Sequence, residues 1–136
     1  MIKQPARLYT AVSGIFLLLQ GISTLAFRLY PPLDQAFPAL LAATHMIPIH
    51  STLHILTGIL AVVILYRGKE GEAFWFALGF GLFYLGLGLT GILSGHQMGL
   101  GLQPFDHPIH LVLGVVGLLV AAPTIYYSFA NRKASS

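Results

Sequence analysis

The sequence predicts an all-α membrane protein built from four transmembrane helices, and two observations lead to this fold class. The chain is strongly apolar, with a mean hydropathy of +0.79 and only 8% charged residues. Its apolar residues are collected in four long stretches, each close to the roughly 20 residues that an α-helix needs to cross the hydrocarbon layer. A chain of 136 residues has room for one such bundle, so residues 1–136 are predicted to form a single domain.

The positions of the apolar stretches define the four predicted helices. They are Leu8 to Phe27, Ile49 to Tyr66, Ala73 to Leu93 and Ile109 to Phe129. The first stretch follows a basic start, as in a signal peptide, but it is longer than a typical signal-peptide core and no small-residue cleavage site follows it. We therefore expect a permanent helix there. The apolar run at 39–43 predicts an additional short helix lying in the membrane interface.

The basic residues predict the orientation of the helices. Lys and Arg collect in cytoplasmic segments of membrane proteins, which places both termini and the Arg67 to Glu72 loop in the cytoplasm, with Asp34 and Gln97 outside. We expect the protein in the lipid bilayer of a bacterial inner membrane or a thylakoid. The net charge of +3 is explained by these flanks, and no nucleic-acid partner is predicted. Six of the seven basic residues lie in the predicted cytoplasmic segments: Lys3, Arg7, Arg67, Lys69, Arg132 and Lys133.

All of the histidines fall on the opposite, outer side. They lie in the two outer loops or at the outward ends of predicted helices, and no cysteine accompanies them, so any metal would be bound by nitrogen and oxygen atoms. The histidines are His45, His50, His54, His96, His107 and His110.

The chain also repeats a pattern, which predicts two tandem two-helix repeats. When the second and fourth helices are aligned, His54 pairs with His110 and Gly58 pairs with Gly114. The first and third helices match more weakly, through glycines seven residues apart at 14 and 21 and at 79 and 86. Both halves would run in the same direction across the membrane, with a pseudo-twofold axis along the membrane normal.

Two segments that carry these histidines resemble a known family. Leu53-His54-Ile55-Leu56-Thr57-Gly58 and Ile109-His110-Leu111-Val112-Leu113-Gly114 are similar to the His-containing motifs of a bacterial and cyanobacterial family of uncharacterised four-helix membrane proteins. The resemblance covers about Tyr9 to Tyr127. It implies the four-helix architecture and the importance of His54 and His110, and it carries no established activity.

Three interpretations of the histidines remain open. A divalent metal ion could take ligands from a set of five residues, a tetrapyrrole such as haem or chlorophyll could be held axially by His54 and His110, or the imidazoles could only make hydrogen bonds within the protein. Asp106 could also cap the fourth helix. The five candidate metal ligands are His50, His54, Asp106, His107 and His110.

Glycines in the third predicted helix indicate close helix packing. Gly79 and Gly86 mark one face, while Gly81, Gly88 and Gly95 mark a second face. Small residues let transmembrane helices approach closely. We expect both faces to pack inside the bundle, with docking of another membrane subunit along Gly79 to Gly95, or room for a flat macrocycle, as the alternatives.

The absence of other motifs narrows the range of functions that the sequence predicts. No Asp, Glu, Lys or Arg lies in the middle of a predicted span, which argues against a proton-coupled transporter or an ion channel. No catalytic triad, phosphate-binding loop or HExxH helix is present in the sequence, so we expect no enzyme activity. The sequence favours a non-enzymatic accessory or binding subunit of a respiratory or photosynthetic membrane assembly. The alternative is a b-type haem electron-transfer protein with His54 and His110 as axial ligands.

Overall fold

The computed structural model describes residues 5–38, 47–95 and 99–134. Within these ranges the chain forms five helices and no strand. Four of these helices are long and apolar enough to cross a membrane. The all-α class and the four predicted spans are therefore confirmed, and the architecture is that expected of an integral membrane protein. The helices are α1 (Pro5–Leu29), α2 (Pro31–Ala36), α3 (Pro48–Arg67), α4 (Glu70–Ser94) and α5 (Asp106–Ala134).

The long helices extend a few residues beyond the predicted apolar stretches, because local end signals set the boundaries. Helix α3 begins at Pro48, whose ring suits the first helical turn, and ends where Gly68 adopts a left-handed conformation with φ of 73°. Helix α4 ends in the same way at Gly95, with φ of 64°. The short helix α2 was not predicted, since six residues are too few to show a periodic pattern. The interfacial helix predicted at 39–43 lies outside the described residues.

Arg7 of α1 binds the C-terminal end of α3. Its guanidinium donates a hydrogen bond of 2.6 Å to the carbonyl oxygen of Gly68 and one of 3.3 Å to that of Leu65. The last carbonyls of a helix lack partners within the helix and carry a partial negative charge, so a cation is favourable there. An ion pair of 3.3 Å between Arg67 and Glu72 lies at the same loop. The N-terminal end of α1 and the α3–α4 loop therefore meet at one end of the bundle.

The four long helices pack as two hairpins, α1 with α3 and α4 with α5. Glycines allow the close approach in each. A methyl group on Gly21 would lie 2.7 Å from the backbone oxygen of Ser51, and one on Gly88 would lie 2.7 Å from the backbone nitrogen of Leu111. On Gly81 it would lie 3.0 to 3.1 Å from backbone atoms of α5. The predicted packing of the face that carries Gly81 and Gly88 is confirmed.

The other glycine face of α4 is open. Among the described residues outside its own helix backbone, no atom lies within 4 Å of the position that a methyl group would take on Gly79 or Gly86. The same is true of Gly95, so the predicted packing of the second face holds for Gly81 and Gly88 but not for Gly95. The expectation that the Gly79 and Gly86 face packs inside the bundle was wrong. A spacing of seven residues identifies a common helix face, but it cannot tell which face a neighbouring helix covers.

The contacts within the two hairpins correspond position by position. Helix α1 approaches α3 at the backbone of Ser51 and at Ala61, and α4 approaches α5 at His107 and Gly117. The sequence alignment paired Gly14 and Gly21 with Gly79 and Gly86, but corresponding contacts among the described residues are made by Gly81 and Gly88, which have the same spacing. The glycines with matching contacts are Gly14 with Gly81, Gly21 with Gly88, and Gly58 with Gly114.

Aromatic side chains join the two hairpins in the middle of the bundle. The hydroxyl of Tyr9 in α1 donates a hydrogen bond of 2.7 Å to the carbonyl oxygen of Leu113 in α5. In α4 the rings of Phe76, Phe80 and Tyr84 stack in a column, with centroid separations of 5.1 and 4.2 Å. This column leads from the Arg7 end of the bundle toward the histidines at the opposite end.

Candidate metal centre

Three histidines converge where α3 and α5 begin. His50 and His54 are one turn apart on α3, and His110 lies in the second turn of α5. One ring nitrogen from each residue lies within 4.8 Å of the other two. All three side chains are buried, with exposed fractions of 2%, 4% and 2%. We refer to His50, His54 and His110 as the histidine trio.

The packing of the rings fixes the shape of the trio. The ring centroids of His50 and His54 are 4.5 Å apart, and those of His50 and His110 are 6.1 Å apart. Tyr84 of α4 lies alongside, at 4.8 Å from the ring of His110 and 6.5 Å from that of His54. The trio therefore draws on α3 and α5 for its ligand atoms and on α4 for the wall behind them.

The hydrogen bonding of the trio is incomplete. Within the described part of the chain, no partner is found for Nδ1 of His50, for either ring nitrogen of His54, or for Nδ1 of His110. A buried polar atom without a partner costs roughly 1–3 kcal/mol, so such atoms are rare in folded proteins. The expectation that the histidines only make hydrogen bonds within the protein has no support at these atoms. A metal ion bound by the imidazoles would satisfy one nitrogen on each ring.

The other two candidate metal ligands lie beside the trio but outside it. Asp106 is buried and interacts electrostatically with His50, while one of its carboxylate oxygens accepts a hydrogen bond of 2.7 Å from the backbone N–H of Gln103. This bond closes the turn before α5, rather than capping the amides of the helix. His107 packs against Gly91 of α4, and its Nδ1 also lacks a partner among the described residues.

The remaining histidines, His45 and His96, lie outside the described residues. The structure therefore places only the four described histidines, and it brings these four to one end of the bundle. These four lie in the first two turns of α3 and α5, at the end of the bundle opposite to Arg7.

A small cavity adjoins the trio. Its volume is about 130 Å³, and His50 and His54 form part of its wall. Pockets that hold drug-sized ligands span roughly 300–1,000 Å³. The space beside the imidazoles is therefore too small for a tetrapyrrole in this conformation, whereas a metal ion with a small ligand fits. The other lining residues are Leu53, Thr57, Phe83, Tyr84, Leu87 and Leu100.

Sequence reasoning missed Tyr84 as a neighbour of the site. A signal was present, because Tyr84 lies three residues after Gly81 and four before Gly88 and so shares their helix face. Once that face is known to pack against α5, Tyr84 must point toward the same helix as His110. The choice between the two glycine faces was the missing information.

Comparisons with known protein families, curated proteins and solved structures give no match to this chain. The resemblance of its two His-containing segments to a four-helix membrane family therefore stays a prediction. What can be said of the site comes from its own geometry: three buried imidazoles, brought together from two hairpins, that could hold a metal ion.

Proposed function

We propose that the protein is a small, non-enzymatic integral membrane protein that binds a transition-metal ion through His50, His54 and His110. The observation that carries this proposal is the convergence of three buried imidazoles with unpartnered nitrogens. Structures rarely leave such atoms unsatisfied, and a shared cation is the simplest partner for three neutral imidazoles at once.

The distances support a metal ion as the ligand. Zinc binds imidazole nitrogen at about 2.0–2.1 Å, which separates two ligands of a tetrahedral ion by roughly 3.4 Å. The nitrogens of the trio are at most 4.8 Å apart, so small rotations of the rings would complete the site. Imidazole suits zinc and copper, and the chain contains no cysteine that would add a softer ligand.

A b-type haem between His54 and His110 is less well supported. His50 sits next to both rings and occupies space that a macrocycle would need. The adjoining cavity is also smaller than a tetrapyrrole requires. A chlorophyll faces the same two obstacles.

We further propose that the metal site lies in the outer half of the membrane. Arg7 of α1 binds the carbonyl oxygen of Gly68 at the end of α3, so Arg7 and the basic α3–α4 loop lie at the same end of the bundle. Segments rich in Lys and Arg stay in the cytoplasm. The trio is at the other end. This orientation suits a bacterial inner membrane or a thylakoid, where the outer side faces the periplasm or the lumen.

The corresponding contacts of the two hairpins support an origin from two tandem two-helix repeats. In that register His54 is equivalent to His110, and His50 is equivalent to Asp106. One repeat would then supply two ligands of the trio and the other repeat one. In an exact repeat a fourth histidine would stand at position 106. The chain has Asp106 there instead, and its carboxylate accepts a hydrogen bond from the N–H of Gln103 in the turn before α5.

An accessory role in a larger membrane assembly remains part of the proposal. Its support is the open face of α4, where Gly79 lies in a surface groove beside Phe83 of the same helix and Leu60 of α3. Small residues on a lipid-facing surface allow another transmembrane helix to approach closely.

Metal analysis of protein purified in mild detergent tests the proposal. After incubation with Zn²⁺ or Cu²⁺ and removal of free ion, we expect one ion per chain in the parent protein. The variants His54→Ala and His110→Ala should both lose it, since each removes a ligand of the trio. His107→Ala is the matched control, because it removes another buried imidazole next to the site and should retain the ion.

Two results would overturn the proposal. One is a metal content that stays unchanged in all three variants. The other is an intense haem or chlorophyll absorption band in the parent protein that disappears in His54→Ala and His110→Ala.

A further inference from the structure

We propose that the metal held by the histidine trio keeps one exchangeable coordination position, and that this position takes a small uncharged molecule of two or three atoms. This inference rests on the proposed metal site and names the class of ligand that the site admits. The features that carry it are the number of protein ligands, the chemistry of the adjoining cavity and the place where the cavity opens.

Three protein ligands leave a coordination position free. Zinc sites closed by four protein ligands are structural, whereas sites with three protein ligands keep a fourth position for water or another small molecule. Among the described residues, the group of ligand atoms within reach of one another contains only His50, His54 and His110. Asp106 is engaged with the N–H of Gln103. Two of the three ligands, His50 and His54, form part of the wall of the adjoining cavity, so this cavity is where we place the molecule that takes the free position.

The walls of the cavity favour an uncharged ligand. Apart from the two histidines, the lining is apolar except for Thr57 and Tyr84. The hydroxyl of Thr57 donates to the carbonyl oxygen of Leu53 over 2.8 Å, so its proton is not available to an anion. Among the described lining residues there is no Lys or Arg, so an anion would have the metal ion as its sole compensating charge for the hydration that it loses on leaving water.

The mouth of the cavity lies between α3 and α4. Leu53 of α3 and Phe83 of α4 are lining residues that are also 39% and 55% exposed on the bundle surface. On a membrane-spanning bundle such an apolar surface faces lipid. A molecule entering here arrives from the hydrocarbon layer, where small uncharged molecules dissolve and ions do not.

The size of the cavity limits the ligand to a few atoms. A volume of about 130 Å³ equals about four water molecules at roughly 30 Å³ each. Diatomic and triatomic molecules fit in this space together with the metal's own coordination shell. Quinones and other lipid-soluble rings do not.

Carbon monoxide bound to the copper-loaded protein provides the test. A three-coordinate cuprous ion binds carbon monoxide, and the bound molecule gives a C–O stretching band in the infrared. We expect one such band in the parent protein, reduced with ascorbate and loaded with one copper per chain. The variant Thr57→Phe, which places a ring in the cavity, should keep its copper and lose the band.

Thr52→Phe is the matched control. Thr52 lies on the same helix and makes the same local bond, a 2.8 Å hydrogen bond to the carbonyl oxygen of Pro48, but it does not line the cavity. This variant should keep both the copper and the C–O band. Equal bands in Thr52→Phe and Thr57→Phe would place the carbon monoxide elsewhere and overturn the inference.

Two further outcomes separate this inference from the proposed function. Failure of copper to bind to the parent protein would overturn both. One bound copper without a C–O band would overturn the exchangeable position alone. Azide added to the cupric protein tests the restriction to uncharged ligands: we expect no charge-transfer band, and a band that Thr57→Phe abolishes would show that the cavity also admits anions.

Discussion

A methyl group at Gly88 gives a quantitative test of how α4 packs against α5. In Gly88→Ala the new carbon would lie 2.7 Å from the backbone nitrogen of Leu111 and 3.0 Å from the backbone oxygen of His107. Ordinary contacts between such atoms are about 3.5–4.0 Å, so the two helices must separate by about 1 Å. Overpacking of this kind costs typically 1–3 kcal/mol.

The variant Gly86→Ala is the matched control for this prediction. Gly86 lies on the same helix, and no atom of a neighbouring element in the described part of the chain lies within 4 Å of the position that its methyl group would take. Both substitutions exchange glycine for alanine in a helix interior, a change worth up to about 1 kcal/mol in favour of alanine. The difference between the two variants therefore isolates the clash, and we expect Gly88→Ala to be about 1–3 kcal/mol less stable than Gly86→Ala.

The assay is unfolding in mixed detergent micelles with increasing dodecyl sulfate, followed by circular dichroism. Metal content is a second readout, because Gly88 packs against the turn of α5 between His107 and Leu111 that carries His110. We expect Gly88→Ala to lower the metal affinity and Gly86→Ala to leave it unchanged. Equal unfolding midpoints and equal metal content in the two variants would refute the packing argument and its link to the site.

Three further predictions concern the two ends of the bundle. A cysteine introduced at Gly71 should be shielded from an impermeant thiol reagent in intact cells, while one at Gln97 should react; the opposite pattern would reverse the orientation. Arg7→Ala removes two hydrogen bonds to helix-terminal carbonyls and should lower the free energy of unfolding by about 1 kcal/mol. The control is Lys69→Ala, because the contact of Lys69 with Glu72 is exposed and long at 3.8 Å. Equal stabilities of the two variants would show that the hydrogen bonds of Arg7 do not stabilise the bundle. Acidification should release the bound metal, because protons compete with it for the imidazole nitrogens; dialysis at falling pH followed by metal analysis checks this, and an occupancy that stays full down to the pH at which the bundle unfolds would argue against histidine ligands.

The fold was predictable because its dominant signal is simple. A continuous apolar stretch of about 20 residues favours a helix in a bilayer, because a helix satisfies the backbone hydrogen bonds within the stretch itself. Helix boundaries were less predictable, because they depend on Pro48, Gly68 and Gly95, which act beyond the apolar stretches. The packing face of α4 could not be chosen from spacing, because Gly79 and Gly86 have the same periodicity as Gly81 and Gly88.

The candidate site was predictable in part, since helical periodicity places His50 and His54 on one face. That His110 lies close to them depends on how the two hairpins dock, and hydropathy carries no information about docking. The positions of Asp106 and His107 illustrate the limit. Both are near in sequence to His110, yet one is drawn into the turn before α5 and the other packs against Gly91.

The division of the trio between the two hairpins has a thermodynamic consequence. His50 and His54 belong to the first hairpin and His110 to the second, so only the docked arrangement presents all three ligands. An ion at a free concentration of 1,000 times its dissociation constant would stabilise that arrangement by about 4 kcal/mol relative to separated hairpins. In a chain without cysteine, the ion would act as a reversible crosslink in addition to the contacts between the hairpins, and its concentration in the surrounding compartment would set how much stability it adds.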